Sequence, residues 1–315
     1  MYARRVCGRR GRSGGGAAEA IRGIFRAFCA HPTLLLGTWR SWVRASAACA
    51  LMRALWADGG VLRSSPQARA MLGEARGAAG WSLAARKHAA ETAAAVRQLN
   101  AAVVSALCAE GVPAAGVSPL PLGWTARTAA FAYRHALEPL LRAGLTPVVH
   151  GDVVLDPEAG DSAGATILSG DVIAARAAEA FAADFCVFLT DVSGVFDRPP
   201  RLPGAVRRRR VSAAEARRPV LQPTAVHAHA ALSAMGPADL GRRKERGGVV
   251  DVTGGMAAKL QWAAEAAGKG ADVYICKVGT EAARQALNGT VHRVARETGE
   301  TPPDWEGTWV VSEGR

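Results

Sequence analysis

The sequence lacks the paired cysteines that a zinc ribbon or a dithiol redox site requires. Its six cysteines lie far apart along the 315 residues, and no two are spaced as C-x-x-C. Neither kind of site is therefore encoded. The chain is also too long for a small disulfide-stapled module, and a reducing compartment is the default expectation.

Two common nucleotide-binding motifs are absent as well. The sequence contains no G-x-x-x-x-G-K-[ST], and no G-x-G-x-x-G follows a predicted strand, which excludes the P-loop and the usual dinucleotide-binding loop. Uncharged stretches such as Pro219–Ala238 contain proline, histidine or glutamine, so we expect no membrane-spanning segment and no membrane partner. With 49% hydrophobic and 21% charged residues, the chain can bury the core of one large or two medium domains.

Acidic residues are almost missing from the first 53 positions, which hold ten arginines and one acid, a net charge of +9. Residues 54–315 carry only the remaining +3 of the total +12, which argues against a nucleic-acid partner for the body of the protein. The basic leader is typical of an organelle transit segment, while a functional basic arm and a wrongly joined start of the coding sequence stay open. We expect a cytoplasmic protein, or an organelle protein if the leader is a targeting segment.

Apolar periodicity predicts alternating helices and strands from about Trp81 onward. The predicted helices cover Ser82–Glu110, Gly123–Gly144, Val172–Ala183 and Gly254–Gly270, and the predicted strands cover Pro113–Val117, Thr146–His150, Phe185–Thr190 and Ala271–Val278. Strand, turn, helix and strand across Ile167–Thr190 are typical of a βαβ unit, whose ligands collect at the carboxyl ends of the strands. A polar loop is predicted at Asp152–Ala163 and a solvated, arginine-rich excursion at Arg198–Arg218. Trp305 and Trp309 are expected to pack against the sheet.

Three predicted loops at strand ends combine small residues with one or two charged residues. They are Ser169–Asp171, Thr190–Asp197 and Asp251–Lys259. Glycines let backbone N–H groups approach an anion closely, and the helix that follows presents its positive end to the same anion. Lys259 comes four residues after Gly255, so it projects from the first turn of a helix toward this place as a cation for nucleotide phosphates. A helix start with a solvated lysine is the alternative.

Seven segments occur in a fixed order between about residues 81 and 311: PVVHGDVVLD (147–156), ILSGDVI (167–173), VFLTDVSGVFDRPP (187–200), DVTGGMAAK (251–259), DVYICK (272–277), ALNG (286–289) and DWEGTWV (304–310). Together they resemble the isopentenyl phosphate kinases of the amino acid kinase superfamily, the plant and algal form most of all. The resemblance implies an α/β fold, a three-layer αβα sandwich with a mostly parallel central sheet, and a homodimer. It also implies ATP and Mg²⁺ as cofactors and isopentenyl phosphate as the small-molecule substrate.

The resemblance further implies a division of the chain and a set of site residues. Residues 1–60 would be the basic leader, residues 61–165 an incomplete substrate-side half, and residues 166–315 the ATP-binding half. The substrate would contact Gly151, Asp152 and Gly170, and the nucleotide would contact Thr190, Asp191, Gly194, Gly254, Gly255 and Lys259. Lys259 would neutralise the β/γ-phosphates and Asp171 would orient nearby cations, which makes these two the catalytic candidates; no metal-ligating protein residue is assigned. His150 is either part of the substrate side or a satisfied histidine at a strand end.

Two motifs of the family are missing from the first 80 residues. The family begins with K-x-G-G-S and then carries H-G-A-G-S-F-G-H, whose histidine holds the substrate phosphate. Here Ser13–Gly16 has no lysine and no preceding apolar strand, and Asp58–Gly60 lacks the histidine. The main interpretation is a kinase that makes isopentenyl diphosphate and ADP. The alternatives are a catalytically impaired homologue that binds nucleotide or a protein partner, and a kinase for another small phosphate or phosphonate.

Overall fold

The structure is a computed structural model that describes residues 83–156, residues 165–218 except 199 and 201, and residues 255–312. The basic leader, the places where the two missing motifs were sought, and Gly254 lie outside the described residues, so the expectations for them stay predictions.

The helices and strands follow the predicted order with shifts of a few residues at most ends. The helices are α1 (Leu83–Ala109), α2 (Ala130–Arg142), α3 (Gly170–Ala180), α4 (Ala213–Arg217), α5 (Gly255–Gly268), α6 (Glu281–Leu287) and α7 (Thr290–Thr298). The strands are β1 (Ala114–Val117), β2 (Thr146–Val149), β3 (Asp152–Leu155), β4 (Ala165–Leu168), β5 (Phe185–Thr190), β6 (Val195–Phe196), β7 (Arg207–Arg208), β8 (Arg210–Ser212), β9 (Asp272–Lys277) and β10 (Gly307–Val311).

Local signals explain where several helices begin and end. Ser169 precedes α3, and its hydroxyl accepts a hydrogen bond from the Val172 N–H at 3.4 Å. Ser212 and Glu215 satisfy each other's backbone N–H groups in a capping box at the start of α4. Gly299 ends α7 with a φ of +78°, a conformation that suits a residue without a Cβ.

The central sheet has four strands in the order β5-β9-β10-β8. β5 and β9 are parallel, with Phe185 opposite Asp272 and Thr190 opposite Lys277. β10 is antiparallel to β9 and parallel to β8. Two of the three pairings in this sheet are therefore parallel, as predicted.

Alternate residues of the sheet face two helical layers. On one face, Val187 and Leu189 of β5 pack with Tyr274 of β9 in a core shared with α1, α6 and α7. On the other face, Cys186 and Phe188 pack in a core shared with α3, α4 and α5. This arrangement confirms the three-layer αβα sandwich. It requires both faces of β5 to be apolar, which is why that strand is an uncharged run.

The structure corrects the prediction for the segment around residues 152–190. Asp152–Leu155 forms strand β3 instead of a polar loop, and it pairs antiparallel with β4. The predicted βαβ unit is wrong in its pairing, because β4 hydrogen-bonds to β3 and not to β5. A βαβ unit is found instead at β1, α2 and β2, where the two strands are parallel. The strand was not predicted because a charged residue such as Asp152 indicates an exposed loop, whereas the structure buries its side chain fully.

The prediction of a solvated excursion at Arg198–Arg218 is also wrong for its second half. Strand β8 joins the edge of the central sheet beside β10, and α4 packs against α5. Val211, Ala213 and Ala216 have no exposed surface. The arginines around them stay near solvent, so a short buried strand lies within a charged sequence.

One helix among the described residues, over Arg86–Ala109, is long and apolar enough by length and composition to cross a membrane. This criterion concerns length and composition alone, so the expectation that no segment spans a membrane stays a prediction. In this structure the helix contributes Ala93, Val96, Val103 and Leu107 to the protein core. The absence of a membrane partner stays a prediction.

The two tryptophans near the end of the described chain pack against the sheet, as predicted. Trp305 and Trp309 are 1% and 3% exposed, and both lie against Tyr274. The Trp305 Nε1–H donates a hydrogen bond to the Ala282 carbonyl at 3.0 Å, which fixes the indole ring in place.

Candidate active site

The centre of the candidate site is a buried ion pair between two helices. Lys259 Nζ lies 3.6 Å from Asp171 Oδ1, and the two side chains are 5% and 9% exposed. Taking both charges out of water costs several kcal/mol, and this cost is often not recovered as stability. A pair retained at such a cost is a candidate for function.

Chain connectivity brings the ion pair to the carboxyl ends of the central strands. Helix α3 leads directly into β5 and packs on it, while α5 leads into β9 and packs on it. Each helix therefore runs back along its strand, and its first turn lies at the edge where the strand ends. Asp171 and Lys259 occupy those first turns, at the edge of the sheet where ligands bind in open α/β folds. The positive ends of both helix dipoles are directed to the same place.

The β3–β4 hairpin brings the predicted substrate-side residues to the start of α3. Asp152 is paired with Leu168, so Gly151 and Ser169 are the next residues on either side of this pairing. The segment His150–Gly151 consequently lies alongside the start of α3. This proximity depends on the pairing of β3 and β4, which sequence periodicity did not predict.

Asp152 is a fully buried carboxylate that accepts two hydrogen bonds. Oδ2 accepts from the Ser118 hydroxyl at 3.1 Å and Oδ1 accepts from the Val153 N–H at 2.9 Å. Burial raises the pKa of Asp152 above its ordinary value of 3.8, while His150, Ser118, Val153 and Arg97 act in the opposite direction. The protein therefore holds a carboxylate at a place that disfavours its charge.

We predict that Asp152→Asn stabilises the protein at pH 7. A carboxyl group whose pKa is raised by folding contributes stability below its unfolded pKa, and that contribution is lost as pH rises through the folded value. Asparagine keeps an acceptor for the Val153 N–H and removes the buried charge. The melting temperature of the variant should exceed that of the wild type at pH 7, and the gap should narrow toward pH 4. A variant less stable than the wild type at pH 7 would show that the neighbouring positive groups outweigh burial.

His150 is buried at the end of β2, with 7% of its surface exposed. Its Nδ1 lies 3.0 Å from the carbonyl oxygen of Gly151. Since a carbonyl can only accept, Nδ1 carries the proton. Nε2 can then donate to a phosphate oxygen only when the ring is an imidazolium. The residue has a hydrogen-bond partner in this structure, and its contact with a substrate stays a prediction.

A glycine at the start of α3 leaves open space beside the ion pair. Gly170 is buried, yet a Cβ built on it would meet no atom within 4 Å. The predicted contact with a substrate phosphate requires room of this kind, because a phosphate must approach the backbone N–H groups of the first helical turn.

The loop after β5 is held by Thr308 of β10. The Thr308 hydroxyl accepts a hydrogen bond from the Val195 N–H at 2.8 Å and donates one to the Arg208 carbonyl at 2.6 Å. Gly194 has a φ of +107°, and a Cβ there would lie 3.0 Å from the Thr308 nitrogen. Gly194 therefore allows close packing of this loop against β10. These surroundings do not test the predicted contact of Gly194 with a nucleotide, which stays a prediction.

The other predicted nucleotide contacts lie along the same edge. Thr190 ends β5, is 2% exposed, and donates its hydroxyl proton to Asp191 Oδ1 at 3.1 Å. Asp191 is exposed. Gly255 is the first residue of α5. The roles assigned to these residues stay predictions.

Several residues that shape the site were not found by sequence analysis. Ser118 follows β1 and holds Asp152, and Thr308 holds the loop after β5. Asn100 of α1 donates to the Val148 carbonyl of β2 at 2.9 Å, which ties α1 to the strand that precedes His150. Each acts on a residue far away in the chain, so the sequence gave these residues no role in the site.

Metal ligands are scarce in the part of the chain that the structure describes. No group of three or more His, Cys, Asp or Glu side chains there could hold a metal ion. Mg²⁺ is commonly held by one or two carboxylates together with substrate phosphates. The described residues do not form a protein cage for this ion.

The fold and the site together define a three-layer α/β protein with a candidate phosphate-binding edge centred on a buried lysine. The profile of the amino acid kinase family matches residues 52–277. The chain belongs to the amino acid kinase family.

Relatives and solved structures agree with this assignment. The chain is 37% identical over 220 residues to an isopentenyl phosphate kinase of Arabidopsis thaliana, an alignment that covers 68% of this chain and 60% of the relative. The chain thus spans about three-fifths of that relative's length. In fold it resembles an isopentenyl phosphate kinase of T. acidophilum in a product complex, with a TM-score of 0.52 and 19% identity over 79% of each chain. Another isopentenyl phosphate kinase structure gives a TM-score of 0.54 with 22% identity, over 79% of this chain and 80% of that one.

Proposed function

We propose that this protein is an ATP-dependent kinase that transfers the γ-phosphoryl group of ATP to isopentenyl phosphate. The observation that carries the proposal is the buried pair of Lys259 and Asp171, which lies where the first turns of α3 and α5 meet, beside His150 and Gly151. The similarity to isopentenyl phosphate kinases supports the choice of substrate.

The main obstacle to this reaction is repulsion between two anions. A phosphate monoester has a second pKa of about 6, so at neutral pH its oxygens are nucleophilic without a general base. Two unit charges about 4 Å apart repel by about 4 kcal/mol at an effective dielectric constant of about 20. Catalysis must therefore come from positive groups and fixed dipoles that bring the phosphates together in line.

The described residues supply such groups on both sides of the proposed reaction. Lys259 would place its ammonium against the β/γ-phosphates of ATP, and Asp171 would hold that ammonium in place. Gly170 would let the acceptor phosphate reach the N–H groups at the start of α3. His150, when protonated, would donate Nε2–H to the same phosphate. Mg²⁺, bound to the nucleotide, would supply further positive charge. We also propose that the protein forms a homodimer.

An impaired homologue is the second candidate, and a specific observation favours it. The lysine of K-x-G-G-S and the histidine of H-G-A-G-S-F-G-H are missing from the sequence. Both would add positive charge on the acceptor side. Without them the chain could bind a nucleotide and transfer its phosphoryl group slowly or not at all.

A coupled ADP-release assay with isopentenyl phosphate tests both candidates. The wild-type chain is compared with a version whose first 80 residues are replaced by a segment carrying the two missing motifs. Turnover in both proteins supports the kinase, and turnover only in the second assigns the defect to the N-terminal region. If neither protein shows turnover, the kinase hypothesis is rejected. Other small phosphates and phosphonates assayed in parallel identify a different acceptor.

We also predict that Gly170→Ala weakens acceptor binding without harming the fold. The new methyl meets no atom within 4 Å, and alanine is favoured over glycine in a helix by about 1 kcal/mol. The methyl would occupy the space left for the phosphate, so the KM for isopentenyl phosphate should rise by about tenfold or more. The KM for ATP and the melting temperature serve as internal controls. An unchanged acceptor KM would place the phosphate elsewhere.

A further inference from the structure

Three ion pairs along one seam join helix α3 to α5 and to Lys269, the residue that follows α5. Asp171 meets Lys259 at 3.6 Å, Arg176 meets Glu265 at 3.7 Å, and Glu179 meets Lys269 at 2.9 Å. The partner numbers rise together, so the two helices run in the same direction. We call these three pairs the charge ladder.

The signs alternate along each helix. From its first turn, α3 carries a negative, a positive and a negative group, and the α5 side carries the complementary order. Displacement by one pair in one direction would bring Asp171 toward Glu265 and Arg176 toward Lys269. Displacement in the other direction would bring Arg176 toward Lys259. Like charges would meet in both cases, so the observed alignment is the one in which every pair is attractive.

The apolar part of the same seam discriminates poorly between alignments. The core cluster to which both helices contribute is rich in alanines: Ala174, Ala175 and Ala178 on α3, and Ala263, Ala264, Ala266 and Ala267 on α5. Sliding one helix along the other exchanges one methyl group for another of the same size, whereas large interlocking side chains would resist it. Larger side chains of α5, Leu260 and Trp262, take part in the same core, and the Trp262 ring lies 5.7 Å from the Arg176 guanidinium carbon.

The outer two pairs are partly accessible to solvent. Their side chains are 21% to 48% exposed, and pairs of this kind contribute little to overall stability. The hydrogen bond from Lys269, followed by Arg176, lowers the pKa of Glu179, which keeps this carboxyl charged at neutral pH. The two outer ion pairs therefore affect the alignment of α5 on α3 more than the stability of the protein.

We propose that Arg176, Glu179, Glu265 and Lys269 are positioning residues that set the alignment of α5 on α3 and thereby hold the Lys259 ammonium at Asp171. A displacement by one pair, four to six residues along α5, would move Lys259 by about 6–9 Å, which removes it from the site. The proposal rests on the proposed function for its catalytic consequence, but the placement of Lys259 can be measured without turnover.

The test compares four forms of the full chain. One is the wild type, one carries Arg176→Glu with Glu179→Lys, one carries Glu265→Arg with Lys269→Glu, and the fourth carries all four changes. Each single-helix reversal leaves the net charge unchanged but places like charges across the seam. The fourfold variant restores attraction with inverted signs. It still lacks the contact between Arg176 and Trp262, so any rescue comes from the charges.

The first measurement is labelling of Lys259 by an amine-reactive ester, read by mass spectrometry. Lys87, whose side chain is 72% exposed, is the internal reference. We expect labelling of Lys259 relative to Lys87 to rise on the order of tenfold in both single-helix reversals, the size of effect that neighbouring coupled groups produce, and to return to the wild-type ratio in the fourfold variant. Wild-type labelling in both reversals would overturn the proposal.

The second measurement is steady-state kinetics at a temperature where circular dichroism shows every variant folded. We expect kcat to fall on the order of tenfold in the two reversals, because small misplacement of a catalytic group is costly, and to recover in the fourfold variant. Loss of thermal stability with unchanged kcat and unchanged labelling would show a purely structural role and contradict the proposal. A wild type without turnover would reject the proposed function, while labelling would still decide on the charge ladder.

If the reversals do not fold, Glu265→Gln and Lys269→Met replace them. These substitutions remove one charge each and create no repulsion. A smaller rise in Lys259 labelling in both supports the charge ladder, and unchanged labelling in both overturns it.

Discussion

Replacing Lys259 by methionine should lower kcat by about 10²- to 10³-fold, the loss that follows removal of one group stabilising transition-state charge. Methionine has a similar length and leaves the packing of α5 nearly intact, but it carries no charge. The measurement is ADP release with isopentenyl phosphate at saturating ATP. Lys87→Met is the matched control, because that side chain is exposed and forms only a loose pair with Glu91 at 3.9 Å; its kcat should match the wild type.

A second variant separates the catalytic effect from a folding defect. Breaking a buried ion pair by removing one partner costs about 3–5 kcal/mol of stability, so Lys259→Met alone should also melt at a lower temperature. Combining it with Asp171→Asn removes both charges and should recover much of the lost stability, while activity stays low. Activity close to the wild type in either folded variant would remove Lys259 from the mechanism.

Gly307→Ala should produce the largest loss of stability among the glycine substitutions that the described residues offer. A Cβ at Gly307 would overlap three ring atoms of Trp305, with Cζ3 at 2.7 Å. The indole cannot move aside easily, since it is buried and hydrogen-bonded to Ala282. Overpacking of this kind costs about 3 kcal/mol, which corresponds to a fall in melting temperature of about 6–12 °C for a domain of this size.

A double-mutant cycle with Trp305→Leu tests the physical cause. Leucine leaves space where the ring was, so Gly307→Ala should cost much less stability in the leucine background than in the wild type. Equal costs in both backgrounds would show that the methyl at Gly307 is opposed by something other than the indole.

The strength of a local pattern decided which elements could be predicted. Phe185–Thr190 was predicted with its observed limits because a strand buried on both faces must be uncharged throughout. β3 was missed because it begins with Asp152, whose charge indicates solvent although the structure buries it. β8 was missed because Val211 stands among arginines, and only its pairing with β10 shows that it belongs to the sheet.

The candidate site shows the same division. The glycines before Lys259 marked this residue without any coordinates. Asp171 lies 88 positions earlier in the chain. The sequence predicted that both residues lie at the carboxyl ends of the strands, but only the structure shows that they form an ion pair. The roles of Ser118 and Thr308 could not be inferred from the sequence, because each acts through a residue distant in the chain.

By itself, the amino-acid sequence determined the order of most helices and strands and the chemistry of the loops that follow them. It did so because backbone preference and apolar periodicity are properties of neighbouring residues. The tertiary structure alone decided which loops meet, which carboxylates are buried, and how α5 is aligned on α3. These depend on packing between segments far apart in the chain, where one strand pairing or one helical turn changes which charges face each other.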